Sequence, residues 1–242
     1  MMLSKSQSKL ITSLSQKKYR NKHQLFVVEG IKTVNEFLKS NLNLHSLFCT
    51  IDFSHQLSDA KIEIISDAEL KKISSLKNPN EVLALFQIPE IKEIDTSKFT
   101  LVLDGINDPG NLGTIIRLCD WFGIDQLVCS QDTVDCFNSK VVQASMGSLT
   151  RIKINYVDVL YFLSTTNLPI YAAMMDGENI YKKSLDKDAV LVMGNEANGI
   201  SEKVLELITQ KISIPRFGDL QQTESLNVAT ATAILLSEFK RN

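Results

Sequence analysis

The chain has 242 residues, of which 44% are hydrophobic and 22% charged, with a formal net charge of −2. That length suits one large domain or two small ones, and the composition is that of an ordinary soluble globular protein. No apolar run approaches the roughly 20 residues that span a bilayer, and no apolar segment follows the N-terminal charges as a signal peptide requires.

From Met1 to Val28 the chain carries Lys5, Lys9, Lys17, Lys18, Arg20 and Lys22 and no acidic residue. The stretch is either a solvated helix or an electrostatic footprint for a polyanion. Leu3 to Gln16 has the pattern of a short helix, Leu25 to Gly30 (LFVVEG) that of a strand, and Ile31 to Leu38 helical spacing. LHSLFCTI and KIEIIS follow as strands. Ser66 with Glu69 three residues on is a capping box, so SDAELKKI opens a helix. NEVLALFQI closes this part as a strand. Residues 88–99, charged and holding Pro89, read as a linker.

Beyond the linker, strands and helices alternate. Strands are expected at Thr100–Gly105, DQLVCS, RIKINY, IYAAMM, Ala189–Gly194 and KISIP. Helices are expected at Gly110–Phe122, Ser139–Ser145, Val157–Ser164, Ser201–Ile208 and Ser225–Lys240. Near-continuous apolar strands separated by helices imply a mostly parallel sheet covered on both faces. Ligands of such sheets bind outside the carboxyl ends of the strands. Cys49, Cys119, Cys129 and Cys136 form no Cys-x-x-Cys pair, and His23, His45 and His55 lie outside metal-ligand spacing. No zinc site is therefore expected, and the cysteines read as reduced, mostly buried thiols of a cytosolic protein.

Three loops after strands stand apart. In Asp104–Gly123, Asp108-Pro109-Gly110-Asn111 is turn chemistry feeding a helix, Asn111 is a candidate cap, and Arg117 follows about one and a half turns later. In Leu191–Ser201, Gly194 and Gly199 bracket Asn195, Glu196 and Asn198, whose backbone groups need partners. In the third, a strand ends at Pro215, Gly218 permits a turn, and Ser225 or Asn227 stands at a helix mouth with its unpaired amides. Each loop alone is also readable as ordinary capping and turn chemistry. The G-x-G-x-x-G, G-x-x-x-x-G-K-[ST] and G-x-S-x-G signatures are absent, which disfavours dinucleotide, P-loop and serine-hydrolase chemistry.

Taken together, the loops resemble the SpoU (TrmH) family of RNA 2'-O-ribose methyltransferases, in the knotted SPOUT superfamily. The first motif is matched by Asp104, Asp108-Pro109, Asn111, Gly113, Arg117 and Gly123, and the second by Gly194-Asn195-Glu196 with Gly199. The third is matched by Ile214-Pro215, Gly218 and Ser225-Leu226-Asn227-Val228, and ASMGSLTRI (Ala144–Ile152) resembles the segment between the first two. Arg216-Phe217 departs from the family pattern, which often has a methionine there. The match covers residues 98–242. The first 90 residues more loosely resemble the family's N-terminal substrate-binding domain, similar to a ribosomal RNA-binding protein, best in KKYRNKHQLFVVEG.

The resemblance implies an RNA-binding α/β domain at 1–90 and a catalytic domain at 98–242. The latter is an α/β SPOUT-type sheet ending in a deep trefoil knot, which general topology rules would not predict. It implies S-adenosyl-L-methionine bound bent within the knot, a homodimer whose active sites use both chains, a structured RNA substrate, ribosomal RNA before transfer RNA, and a cytoplasmic location. Catalytic roles fall to Arg117, Asn111, Glu196, Ser225 and Asn227. Cofactor contacts fall to Met193, Gly194, Asn195, Gly199, Ile214, Pro215, Ser225, Leu226 and Asn227. Lys17, Lys18, Arg20 and Lys22 are the expected RNA contacts, and no metal is expected. The alternatives are a catalytically silent RNA-binding or assembly module and an α/β protein for another adenosine-like ligand.

Overall fold

The computed structural model describes residues 3–54, 62–219 and 225–241. His55, Lys61 at the start of one expected strand, and 220–224 of the polar stretch before the last helix lie outside them. In chain order the elements are α1 (Lys5–Ser13), α2 (Lys17–His23), β1 (Leu25–Glu29), α3 (Ile31–Leu38), β2 (Leu44–Cys49), α4 (Ile51–Ser54), β3 (Ile62–Ile64), α5 (Asp67–Ile73), β4 (Val82–Gln87), β5 (Thr100–Asp104) and α6 (Pro109–Trp121). They continue as β6 (Gln126–Cys129), α7 (Ser139–Ser145), β7 (Lys153–Tyr156), α8 (Val159–Thr165), β8 (Ile170–Asn179), β9 (Val190–Gly194), α9 (Glu202–Leu205), β10 (Gln210–Ser213) and α10 (Val228–Lys240). The chain divides into two compact units, residues 1–90 with 135–150, and residues 91–134 with 151–242. The stretch 135–150, which the resemblance covers together with the rest of 98–242, clusters with the first unit.

The first unit is built on a four-stranded sheet in the order β1-β4-β2-β3, antiparallel except for the β2–β3 pair. Its strands alternate large apolar residues on both faces. Leu83 and Leu85 of β4 join Leu25, Phe48, Ile65, Leu70 and Ile73 under Ile11 and Leu14 of the N-terminal segment. On the other face Phe26 and Phe86 meet Phe37 of α3, and Phe137 lies 4.7 Å from Phe26 between ring centroids.

The expected N-terminal helix is two helices, and the second buries Arg20, which is 2% exposed. Its Nε and Nη2 donate to Asp135 Oδ2 at 2.9 and 2.5 Å, and Nη1 donates to the carbonyls of Leu14 and Ser15 at 2.8 and 3.0 Å. Arg20 therefore departs from the expected set of RNA contacts: its guanidinium is buried, with Nε and both Nη groups bonded inside the fold, out of reach of a phosphate. Lys17, Lys18 and Lys22 are exposed.

The second unit is a six-stranded sheet in the order β10-β8-β9-β5-β6-β7, parallel at every pairing. Val102, Val128, Val190 and Val192 face a cluster with Val159, Phe162 and Leu163 of α8 and Val204 of α9. The residues between them face the other way, where α6 and α10 pack together and Phe239 of α10 stacks edge-on to Tyr171 and Phe99 at 5.2 and 5.1 Å. Burial behind this ring, and then its bond to Asp186, push the Tyr171 hydroxyl up to about 12. From β5 the chain moves outward to β6 and β7, and from β9 it moves the opposite way to β10. The boundary between β5 and β9 is thus the switch point at which an open parallel sheet leaves a crevice.

The capping box of α5 forms as expected. Glu69 accepts from Ser66 N at 2.9 Å, Ser66 Oγ at 2.8 Å and Leu3 N at 2.9 Å, and these bonds, the Ser66 pair first, hold its carboxyl down at about 2. A depressed carboxyl stabilises the fold above its unfolded value, and that contribution is lost as the pH falls through its folded value. The difference in melting temperature between wild type and Glu69→Gln should therefore be largest at neutral pH and shrink between about pH 4.5 and 2. Ser66→Ala should cost about 1 kcal/mol in denaturant titrations.

Candidate active site

The site grows from strand ends at the switch point. Asp104 and Gly194, the last residues of β5 and β9, lie in register. Beyond β5, Gly105 takes a φ of +75°, and its carbonyl accepts from Asn195 Nδ2 at 2.5 Å. Beyond β9 the chain turns back on itself: Asn195 and Gly199 exchange backbone hydrogen bonds at 2.8 and 2.9 Å, and Asn195 Oδ1 accepts from the amides of Ala197 and Asn198. Gly199 makes this return with a φ of +70°. Gly194 lies so close to the returning chain that a Cβ there would meet Gly199 C and Ile200 N at 2.4 Å. The Asp104 carboxylate accepts from Ser201 N at 2.8 Å, tying the first strand end to the start of α9.

Helix α6 is capped by Asp108, whose Oδ1 accepts from Asn111 N at 2.8 Å, so the cap expected of Asn111 belongs to Asp108. The Asn111 side chain is thereby freed for long-range bonds. Its Nδ2 donates to Glu196 Oε1 at 2.6 Å, and its Oδ1 accepts from Asn227 Nδ2 at 2.9 Å. Asn227, and not Ser225, caps α10, its Oδ1 accepting from Ala229 N and Thr230 N at 3.0 and 3.2 Å. One residue from each loop thus enters a single hydrogen-bonded line.

The other expected residues sit around this line. Met193 is buried, Gly194, Asn195, Ile214 and Pro215 are half-buried, and Gly199, Ser225 and Leu226 are exposed at the loop surfaces. Arg117 is exposed on α6 and about 9 Å along the axis from Asn111. It makes no ion pair or hydrogen bond with the described residues, so it stands outside the line as an unneutralised cation. The sequence reading assigned no bond to Asp104 or Gly105. A polar residue at the end of a buried strand, followed by glycine, was the available signal.

Among the described residues no helix is long and apolar enough to cross a membrane, and no three His, Cys, Asp or Glu side chains converge as a metal site.

Residues 98–237 match the SpoU rRNA Methylase family, and residues 5–84 match the MRM3-like substrate binding domain. The chain belongs to the SpoU family. It is 32% identical over 94% of its length to the 23S rRNA (guanosine(2553)-2'-O)-methyltransferase of Bacillus subtilis, covering 93% of that protein. A TrmH-family protein from Porphyromonas gingivalis superposes with a TM-score of 0.90 at 39% identity, covering 100% of this chain and 99% of that one. An AdoMet-bound rRNA methyltransferase from Sinorhizobium meliloti superposes at 0.86 and 27% identity, covering 100% and 97%. The expected enzyme class, an RNA 2'-O-ribose methyltransferase, and the expected methyl donor, S-adenosylmethionine, are borne out.

Two substitutions test the geometry. Gly194→Ala should force the returning backbone away and destabilise the protein by about 1–3 kcal/mol, as overpacking does. Asn111→Asp should lower the melting temperature by setting a second carboxylate against Glu196, and Glu196→Gln should recover part of that loss. A double-mutant cycle in denaturant should read a coupling of about 0.5–1.5 kcal/mol.

Proposed function

We propose that this chain methylates a ribose 2'-hydroxyl in ribosomal RNA, with the catalytic machinery in 98–242 and RNA recognition by 1–90. The observation that carries the reading is the line Glu196–Asn111–Asn227, because it draws the three loops together at the carboxyl end of a parallel sheet. A substrate-binding-domain match over residues 5–84 and the large-subunit RNA substrate named for the Bacillus relative support ribosomal over transfer RNA.

The residues present suit S-adenosylmethionine. Among the described residues, a Cβ at Gly199 or Gly218 would meet nothing within 4 Å, so both loops border open space. Leu226 is 49% exposed, although Val228 and Ala229, two and three residues on, are buried. The loop ends offer neutral amides and carbonyls, and Glu196 adds one carboxylate suited to a sulfonium cation. Met193, Gly194, Asn195, Gly199, Ile214, Pro215, Ser225, Leu226 and Asn227 would hold it, chiefly through the backbone. When bound, it supplies the electrophilic methyl group.

The chain's own task is to bring a hydroxyl into line and to ease loss of its proton. Positioning supplies on the order of 7–11 kcal/mol in favourable cases, and general-base help about 10²–10⁴-fold. A guanidinium, with a pKa above about 12, is a poor base. Arg117 instead grips a phosphate of the target nucleotide and stabilises the developing alkoxide, while the proton leaves through water or a carboxylate. Asn111 orients the ribose, Glu196 orders the second loop, and Ser225 contacts substrate or cofactor. The family's trefoil knot, a homodimer with shared active sites and a cytoplasmic location complete the reading.

Lys17, Lys18 and Lys22 form the proposed RNA-contacting edge. Deletion of the first 24 residues is a poor probe of it, since it would remove Ile11, Leu14 and Arg20 from the core. Changing the three lysines to Gln should weaken RNA binding and reduce the slope of log K against log salt by roughly 0.7–0.9 per lost phosphate contact, leaving cofactor affinity intact. Arg117→Lys should lower turnover with the fold preserved; normal turnover with intact RNA binding would refute the bidentate phosphate role. Mass spectrometry of ribosomal and transfer RNA from cells with and without the chain decides the substrate. A ribose methyl lost only from transfer RNA would overturn the ribosomal assignment.

A further inference from the structure

The three loops of the site follow β5, β9 and β10, yet a fourth strand end, that of β6, is bonded to the first of them. Ser130, the residue after β6, is 8% exposed, and its amide donates to the Leu103 carbonyl at 2.9 Å, carrying the β5–β6 ladder one step further. Its Oγ accepts from Gly105 N at 2.8 Å and donates to Asp132 Oδ1 at 2.5 Å. Thr133 Oγ1 stands 3.0 Å from the same hydroxyl oxygen. Asp132 is exposed, and its other oxygen lies 3.2 Å from where a Cβ on Gly105 would be.

The directions of these bonds follow from the groups that make them. A carboxylate only accepts and a hydroxyl has one proton, so Ser130 points its proton at Asp132 and turns a lone pair to Gly105 N. Gly105 is held on both sides, its N by Ser130 and its O by Asn195 Nδ2 at 2.5 Å. The two bonds fix the torsions of a residue whose φ of +75° suits glycine and strains other side chains. Asn195, with its nitrogen on Gly105, has its oxygen left for the amides of Ala197 and Asn198. From Asp132 to the turn after β9, each bond sets the direction of the next.

We infer that Ser130 and Asp132 are positioning residues for methyl transfer: through Gly105 and Asn195 they set the turn that holds S-adenosylmethionine. Neither needs to touch the donor. Without the carboxylate the Ser130 proton can swing to other acceptors, and the hydroxyl no longer offers Gly105 N a fixed lone pair. A turn shaped in advance loses less freedom when its ligand arrives, so its affinity is higher. The assignment rests on the reading above that the turn after β9 holds the methyl donor, and adds what keeps that turn in shape.

Calorimetry of the whole protein with S-adenosylmethionine tests the arrangement. Asp132→Ala should raise the dissociation constant roughly two- to tenfold, the span of one net hydrogen bond. Asp132→Asn, which keeps an acceptor oxygen and loses the charge, should bind as wild type does. With ribosomal RNA from a deletion strain, Asp132→Ala should raise KM for S-adenosylmethionine and leave KM for RNA, and kcat at saturating donor, unchanged. Its melting temperature should also hold, since the side chain is exposed. Ser130→Ala, which leaves the Gly105 amide unpaired, should show the same split between the two KM values with a lower melting temperature. In an Asn195→Ala background, Asp132→Ala should add nothing, because the path is already cut. Unchanged donor affinity in Asp132→Ala, or additive losses in the double variant, would overturn the positioning role. So would equal weakening by Asp132→Asn and Asp132→Ala, which would make the charge a direct partner of the sulfonium. Amide exchange of Ala197 and Asn198 in the unliganded protein gives a separate readout, faster in Asp132→Ala and unchanged in Asp132→Asn. If Asn195→Ala left donor affinity intact, the placing of the donor on this turn would fall, and the exchange comparison would still decide whether Asp132 orders the turn.

Discussion

Everything at the carboxyl end of the second sheet depends on the orientation of one primary amide. Asn111 has a donor end and an acceptor end, and its neighbours leave no choice between them. A carboxylate only accepts, so the nitrogen must face Glu196. The oxygen then faces Asn227, which must present its own nitrogen, and the Asn227 oxygen is left to accept from the first amides of α10. Read from the helix outward, every proton points the same way and the line ends on a negative charge. Two helix N-termini, those of α6 and α10, stand at its side, so their dipoles favour that charge. The same preference explains why an acidic residue is tolerated in a glycine-bracketed turn.

The line can form only because the sheet delivers its three members to one place. Parallel strands put all their carboxyl ends on one edge, and the reversal between β5 and β9 parts the covering helices there. Gly194 lets the chain after β9 fold back within 2.4 Å of where a Cβ would be, and the Asn195 side chain then reaches Gly105. Asp104, by accepting from Ser201 N, fixes the far side of the same turn. Strand register, close backbone approach and two side-chain ties thus hold the first two loops as one body before Asn111 recruits the third.

Much of this was legible from local pattern. Buried parallel strands such as TLVLD and VLVMG read as strands because they are apolar on both faces, and Ser66 with Glu69 read as a cap because both partners lie three residues apart. The errors were made where a local rule had two candidates. Asp108 and Asn111 are both good N-caps, and proline at the first helical position settles the matter for Asp108. Arg20 looked like one more surface cation because its partner, Asp135, lies far along the chain. The bonds from Asn111 to Glu196 and Asn227 span 85 and 116 residues, beyond any periodicity; only the family resemblance pointed to their convergence.

Arg20 and Arg117 show how one side chain type divides between structure and chemistry. Burying a guanidinium costs several kcal/mol unless its donors are paired, and Arg20 meets that condition with a carboxylate and two carbonyls. Its charge is thereby neutralised locally and has no reach beyond the fold. Arg117 keeps its hydration on an exposed helix face and needs no internal partner to be tolerated there. A cation in that state loses only water when a phosphate arrives, and gains a planar, bidentate contact in return. Asp120, one turn further along the same helix, is paired with Arg151 and not with Arg117, which leaves Arg117 able to act on an anion. The opposite condition at Arg20 is what makes it a tie between distant parts of the first unit.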